Sequence, residues 1–268
     1  MSLTHIQSMV IGVLQEFRTP RDYVGGGAAL NFDAFRLSDD MDIFHDLADA
    51  LPSGVHRELD ALRAGGFSVE MLHADNHTVE AIVRQYGFET RVQWMSDPET
   101  CRRFFAAVEH KVFGFALHQS DNAVNKVLCA SRRSTAARDA VDLATLAENY
   151  CPLGPLVWAI TSKDPSRGPL EIIRGIRQNT FGYSDDEIRT VRMGNGAEMT
   201  REHIRRILEP ALDNAANYCE HVAPNDFYGC LFVDKKLIPG EATDDDLVKG
   251  RYDALPVQDF SAVPSFPE

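Results

Sequence analysis

The chain has 268 residues, 44% of them hydrophobic and 25% charged, which is typical of globular proteins and unlike disordered or fibrous ones. At roughly 100–200 residues per domain, this length favours two domains. Forty acidic and 27 basic residues give a formal net charge of −13, which disfavours a protein that holds nucleic acid through a broad basic surface.

The five cysteines are an odd number without CxxC spacing, so neither a disulfide framework nor a structural zinc site is expected. No apolar stretch approaches the roughly 20 residues that span a bilayer, and the first twelve residues lack the pattern of a secretory signal. The expected location is therefore the cytoplasm, without contact with a membrane.

In the first part of the chain, hydrophobic residues at helical spacing predict a helix over residues 4–22, with Pro20 marking its end. A glycine turn at residues 25–27 precedes a short strand over 41–44 and a helix over 46–64. Alternating patterns then predict three strands, over residues 67–73, 78–84 and 89–95. This order predicts an α/β (α+β) domain with a mixed sheet over residues 1–115.

Residues 116–240 are predicted to form a mainly α-helical domain. Helical periodicity covers residues 121–132 and 138–148, Ser184 and Glu187 match a capping box, and a long amphipathic helix is expected over 200–221. The remaining residues, 241–268, are acidic and contain prolines, so we expect an extended or frayed tail.

The most informative segment combines the glycine turn with a D-x-D strand. Asp40 and Asp42 are two apart, so on a strand both side chains point to the same side. Paired carboxylates suit Mg²⁺, and the small Gly26 and Gly27 let backbone N–H groups approach a phosphate closely. Each half alone is common, and the alternative is an ordinary loop followed by a solvated acidic strand end.

The same segment resembles the first motif of the polymerase-beta-like nucleotidyltransferases. Gly26-Gly27, twelve residues and Asp40-Met41-Asp42-Ile43 follow its order. The match is closer to the AbiEii/AbiGii-type toxin nucleotidyltransferases, whose motif reads GG-[TA]-AL and then R-x-S-x-D-h-D-h-F. This resemblance implies that Asp40 and Asp42 are catalytic Mg²⁺ ligands and that Gly26, Gly27 and Ser38 bind the nucleoside triphosphate.

A second block, later in the chain, is also similar to that family. Relatives show K-[LV]-x-A-L-x-x-R and then R-D-x-x-D-L, and Lys126, Asp139 and Asp142 stand at the matching positions. The resemblance implies that Lys126 and Asp139 are catalytic and that Lys126 and Asp142 bind the nucleotide. The alternative from the residues alone is a solvated helix pair in which Arg138 and Asp142 form an i,i+4 ion pair.

The sequence departs from the wider family at the third carboxylate, because the expected strand position holds Gln93. A glutamine can neither take a proton as a general base nor neutralise a cation. Asp97 has the same strand parity and is an alternative carboxylate if the strand extends that far.

Three hypotheses for function follow from these motifs. The first is an Mg²⁺-dependent transfer of a nucleoside monophosphate from an NTP to an acceptor hydroxyl. The resemblance suggests a toxin with a cognate antitoxin protein and a tRNA or other RNA as acceptor. The second is a catalytically degenerate member that binds a nucleotide or a protein partner, motivated by Gln93. The third is a small-molecule nucleotidyltransferase of the antibiotic-modifying kind.

Overall fold

The computed structural model describes residues 3–33, 36–47, 51–96, 101–132, 137–194 and 198–262. The chain divides into two compact units. The first contains residues Met1–Asn122 and Gln258–Glu268, and the second contains Ala123–Val257. The first unit thus includes the predicted α/β region, and the second is mainly helical.

A seven-stranded mixed sheet forms the centre of the first unit, in the order β3-β4-β5-β2-β1-β8-β7. Strands β1 and β8 are parallel, as are β2 and β5, and the other neighbours are antiparallel. The mixed sheet predicted from the sequence is confirmed. The strands are β1 (Asp22–Gly25), β2 (Asp40–His45), β3 (Ser68–Ala74), β4 (Thr78–Gln85), β5 (Phe88–Met95), β7 (Val108–His110) and β8 (Gly114–Ala116).

Helices α1 (His5–Leu14) and α3 (Leu51–Ala64) pack on one face of this sheet, and the short helix α2 (Gly26–Leu30) follows β1 directly. The two longer helices share one hydrophobic core with the central strands, which direct alternate side chains towards them. In β5, for example, Val92 and Trp94 are fully buried. We call the opposite side, which includes Asp40, Asp42, Glu80, Arg91 and Gln93, the polar face.

The second unit consists mainly of helices, as predicted, and helix α4 (Gln119–Arg132) contains the boundary between the units. Ser184 and Glu187 form the predicted capping box, and the long helix begins after its N-cap Thr200. Besides α4, the elements are α5 (Ala137–Asn149), α6 (Leu153–Lys163), α7 (Pro169–Thr180), α8 (Asp185–Arg189), α9 (Arg201–His221), α10 (Asp244–Val248), β9 (Leu231–Val233) and β10 (Asp253–Leu255).

Two predictions differ from the structure. The first helix ends at Leu14 instead of continuing to residue 22, because residues 22–25 pair with β2 as strand β1. Residues 241–262 are not an extended or frayed tail, since α10 begins at a capping box on Thr243 and β10 pairs with β9. Residues 263–268 of that segment lie outside the described residues.

The last described residues return to the first unit. Strand β11 (Gln258–Asp259) pairs antiparallel with β6 (Arg102–Arg103), and the ring of Phe260 lies 3.9 Å from the guanidinium carbon of Arg103. Within the described ranges, no helix combines the length and apolar composition that crossing a membrane requires.

Candidate active site

The glycine bend lies where β1 ends beside β2. The antiparallel register places Gly25 opposite Asp42, so the bend that follows Gly25 begins next to the D-x-D strand. Gly26 has a φ of +62°, a left-handed conformation that residues with a Cβ rarely adopt. Glycine is therefore required at this position by the backbone itself.

Asp42 faces the bend. A Cβ added to Gly26 would lie 1.8 Å from Asp42 Oδ2 and 2.7 Å from its Cγ, so the carboxylate occupies the space that a side chain would fill. A Cβ added to Gly27 would lie 2.4 Å from Arg36 Nη2 and 2.8 Å from Ser38 Oγ. The two glycines thus allow the backbone, a carboxylate and a buried guanidinium to approach one another closely.

Asp40 lies two residues before Asp42, and both are partly exposed, whereas Met41 between them is fully buried. This alternation places both carboxylates on the polar face, as predicted. The hydroxyl of Ser38 donates a hydrogen bond to Asp40 Oδ1 at 3.1 Å. In the structure Ser38 therefore orients the Asp40 carboxylate. The nucleotide-binding role that the sequence analysis gives Ser38 stays a prediction.

Helix α1 supports this arrangement through Gln7, which the sequence analysis missed. The side-chain amide of Gln7 donates to the backbone carbonyl of Ser38 at 3.1 Å, and its Oε1 accepts from the backbone N–H of Thr4 at 3.0 Å. Gln7 is 1% exposed. The sequence signal that could have found Gln7 is a polar residue on the hydrophobic side of the predicted helix, three residues after the N-cap Thr4.

Gln93 lies directly beside Asp42 in the sheet. Strand β5 runs parallel to β2, and the register pairs Asp42 with Gln93 and Asp40 with Arg91. The alternative residue, Asp97, lies outside the described residues.

The donor set fits a magnesium ion that arrives with a nucleotide. Mg²⁺ is commonly held by one or two carboxylates together with substrate phosphates, and Asp40 and Asp42 offer two such groups on one face. In the part of the chain that the structure describes, no group of three or more His, Cys, Asp or Glu side chains is placed to hold a metal ion. By their residue type and their shared face, Asp40 and Asp42 would share the ion with phosphate oxygens.

In the second unit, the three residues of the second motif lie together. Lys126 Nζ is 2.8 Å from Asp139 Oδ1 and 3.0 Å from Asp142 Oδ2. The side chains of Asp139 and Asp142 are 4% and 0% exposed, so this is a buried cluster and not the solvated helix pair that was the alternative. Asp139 Oδ2 is buried without a hydrogen-bond partner.

A buried ion pair holds the far end of β2. Arg103 donates to Asp46 through Nη1, at 2.6 Å, and through Nη2, at 3.0 Å, and it also donates to the hydroxyl of Tyr23 at 2.9 Å. Burial raises the pKa of Tyr23 far above its usual value, so this phenol stays protonated. Because Tyr23 belongs to β1 and Asp46 follows β2, the group stabilises the strand pair that ends at the glycine bend.

Protein-family models give no match to this chain, and no curated protein matches it. Among solved structures, the chain is similar to MenT4, a nucleotidyltransferase toxin from Mycobacterium tuberculosis H37Rv. The two are 17% identical, and the alignment covers 78% of this chain and 91% of that chain with a TM-score of 0.42. At this level of similarity, no residue role passes from that protein to this chain.

Proposed function

We propose that this protein is an Mg²⁺-dependent nucleotidyltransferase that moves a nucleoside monophosphate from an NTP to an acceptor hydroxyl. The observation that supports it is the contact between the Asp42 carboxylate and the left-handed Gly26, with Asp40 on the same face of β2. In this proposal the Asp42 carboxylate holds a cation beside a backbone bend that phosphate oxygens can approach.

Each residue of the first motif has a role in this proposal. Asp40 and Asp42 hold the cation, while the backbone at Gly26 and Gly27 lies against the triphosphate. Ser38 keeps the Asp40 carboxylate in one orientation through its 3.1 Å hydrogen bond. When bound, Mg²⁺ would neutralise charge on the triphosphate and on the leaving pyrophosphate.

The second motif has a separate proposed role. Lys126 supplies a positive charge for phosphate oxygens, and the ion pairs with Asp139 and Asp142 set the position of its ammonium group. These roles rest on the resemblance of the motif and on the geometry of the cluster.

The biological role that we propose is that of a toxin with a cognate antitoxin protein, acting on tRNA or another RNA in the cytoplasm. Its support is the order of the two motifs, which resembles the AbiEii/AbiGii-type toxins. The net charge of −13 favours RNA contacts that are local to the site. Induced expression in bacteria should stop growth, and Asp42→Ala should abolish this effect at equal protein level.

The second candidate is a degenerate protein that binds nucleotide without transferring it. The observation that favours it is the register position of Gln93, which lies beside Asp42 and offers no base. In this case Mg²⁺-dependent NTP binding is retained and transfer is absent. Gln93→Asp would then introduce activity.

A label-transfer panel separates these candidates. The protein is incubated with each of four α-labelled NTPs, Mg²⁺ and either a tRNA pool or an aminoglycoside, alongside Asp40→Ala and Asp42→Ala. Asp60→Asn, which changes an exposed carboxylate on α3, is the matched control. Labelled tRNA that disappears only in the two site variants supports the proposal. Labelled aminoglycoside supports the antibiotic-modifying hypothesis, and no transfer in any reaction contradicts the primary proposal.

A further inference from the structure

A third carboxylate lies in the same cross-strand row as Asp42. The register pairs Asp42 of β2 with Gln93 of β5, and Gln93 with Glu80 of β4. Residues directly opposite one another on neighbouring strands project from the same face. Ala81, next to Glu80, is fully buried, whereas the Glu80 side chain is 18% exposed, so Glu80 belongs to the polar face.

An ion pair connects Glu80 to the strand that lies between β4 and the two aspartates. Glu80 Oε1 lies 2.9 Å from Nη1 of Arg91. Arg91 is on β5, which lies between β4 and β2, and its register partner on β2 is Asp40. The ion pair therefore joins Glu80 to a residue of β5, the strand that lies between β4 and the two aspartates.

The distance between β2 and β4 suits a role of Glu80 as a base better than a role as a metal ligand. Strands β2 and β4 are separated by two strand intervals, about 9.6 Å. The side chain of a glutamate is longer than that of an aspartate by one C–C bond, about 1.5 Å, so it shortens this distance only slightly. A carboxylate at that distance is not placed to share a cation with Asp42. A base does not need to touch the cation, because it only has to reach the hydroxyl of the acceptor.

We propose that Glu80 is the general base of the transfer reaction, replacing the carboxylate that Gln93 lacks; this inference rests on the proposed function. The Glu80 carboxylate takes the proton of the acceptor hydroxyl as the acceptor oxygen forms a bond to the α-phosphorus. The bond between the α-phosphorus and the oxygen bridging to the β-phosphorus breaks, and pyrophosphate leaves with the electron pair. Arg91, half exposed, orients Glu80 before the acceptor arrives.

The test compares Glu80→Gln with Glu89→Gln. Glu89 is also on the polar side of β5 and is also paired with an arginine, Arg84 at 2.8 Å, but it lies outside the row. With NTP saturating, Glu80→Gln should lower the rate of transfer by about 10²–10⁴-fold, the usual contribution of a general base, while Glu89→Gln stays near wild type. The nucleotide Kd from isothermal titration should be unchanged in both.

A comparison of kcat with KM distinguishes a base from a structural residue. At saturating NTP and acceptor, Glu80→Gln should lower kcat while the KM for NTP stays near that of Glu89→Gln, because a base acts in the transition state and not in substrate binding. A Glu80→Gln rate within about threefold of Glu89→Gln, or a raised KM with kcat unchanged, would overturn the assignment. If Glu80→Gln does not fold, Glu80→Asp decides: its shorter carboxylate should lower kcat, and a kcat equal to that of the wild type would overturn the assignment.

Failure of the proposed function gives a different result. If the wild type neither transfers a nucleotide nor binds NTP with Mg²⁺, the proposed function fails first and Glu80 has no reaction to serve. If the wild type transfers nucleotides and Glu80→Gln does so equally well, only the assignment of Glu80 fails. If the wild type binds NTP without transferring it, the degenerate candidate is correct and Glu80 is not a base.

Discussion

The carboxylate of Asp42 lies where the side chain of residue 26 would be, because residue 26 is a glycine with φ of +62°. A Cβ at Gly26 would meet Asp42 Oδ2 at 1.8 Å and also its Cβ at 3.0 Å, so rotation of the carboxylate alone does not relieve the contact. Gly26 and Asp42 therefore act as one structural unit, in which the bend fixes the direction of the metal ligand.

Gly26→Ala should remove Mg²⁺-dependent NTP binding and transfer. The left-handed backbone costs an alanine roughly 1–2 kcal/mol, and the new methyl group also displaces the carboxylate. The matched control is Gly250→Ala, since Gly250 has a φ of +64° but no atom within 4 Å of an added Cβ. Isothermal titration with NTP and thermal unfolding are measured for both variants. Normal NTP binding by Gly26→Ala would contradict the proposed role of Asp42.

The sequence predicts those features of the site that depend on residues close together in the chain, and it misses those that depend on residues far apart. The shared face of Asp40 and Asp42 follows from strand parity, which is local, and so does the position of Gln93 within its strand. Strand β1 was missed because it has only four residues, and it is stabilised by pairing with β2, about 20 residues away in the chain.

Glu80 and Gln7 show what a single sequence does not contain. The row that joins Glu80 to Asp42 depends on the β4–β5 register, and the hairpin turn that sets it has positive φ values at Tyr86 and Gly87. A tyrosine at the first of these positions is not a typical signal for such a turn. The contact of Gln7 with Ser38 joins residues 31 apart and becomes visible only when α1 is packed on the sheet.

Lys126→Met should destabilise the second unit strongly. Two buried carboxylates, Asp139 and Asp142, would lose their shared cation, and removing one partner of a buried ion pair typically costs about 3–5 kcal/mol. The double variant Lys126→Met with Asp139→Asn should recover part of this loss, because one of the two buried negative charges is removed.

Urea unfolding of the full chain measures these changes, and the control is Lys249→Met. Lys249 pairs with Asp245 at 2.7 Å, but both side chains are more than half exposed, so its replacement should barely move the midpoint. Equal midpoints for Lys126→Met and Lys249→Met would show that the cluster contributes nothing to stability.

Arg103→Met should destabilise the first unit by about 3–5 kcal/mol, because it leaves the Asp46 carboxylate buried without its bidentate partner. Arg84→Met is the control: Arg84 also binds two carboxylates, Glu70 and Glu89, but on the surface, where ion pairs contribute little. Guanidinium unfolding of both variants gives the comparison. A larger loss for Arg84→Met than for Arg103→Met would contradict the importance of burial.

Asp164→Asn should reveal a pH-dependent contribution to stability in the second unit. Burial raises the pKa of Asp164, but hydrogen bonds from Ser166, Arg167 and Arg132 outweigh this effect and hold the pKa well below its usual value. Because the folded-state pKa is the lower one, the carboxylate stabilises the fold at neutral pH. That stabilisation is lost as the pH falls below the unfolded-state value of about 3.9 towards the folded-state value.

The midpoint of urea unfolding at pH 7 and at pH 3 tests this linkage. The midpoint of the wild type should clearly exceed that of Asp164→Asn at pH 7. The difference between the midpoints should shrink at pH 3, because protonation of Asp164 removes the negative charge, as the substitution does. Asp186→Asn is the control, because Asp186 also accepts from an arginine, Arg189 at 2.6 Å, but its side chain is 90% exposed. A difference between wild type and Asp164→Asn that is equally large at both pH values would show that the asparagine acts through packing and that the charge of Asp164 does not stabilise the helical unit.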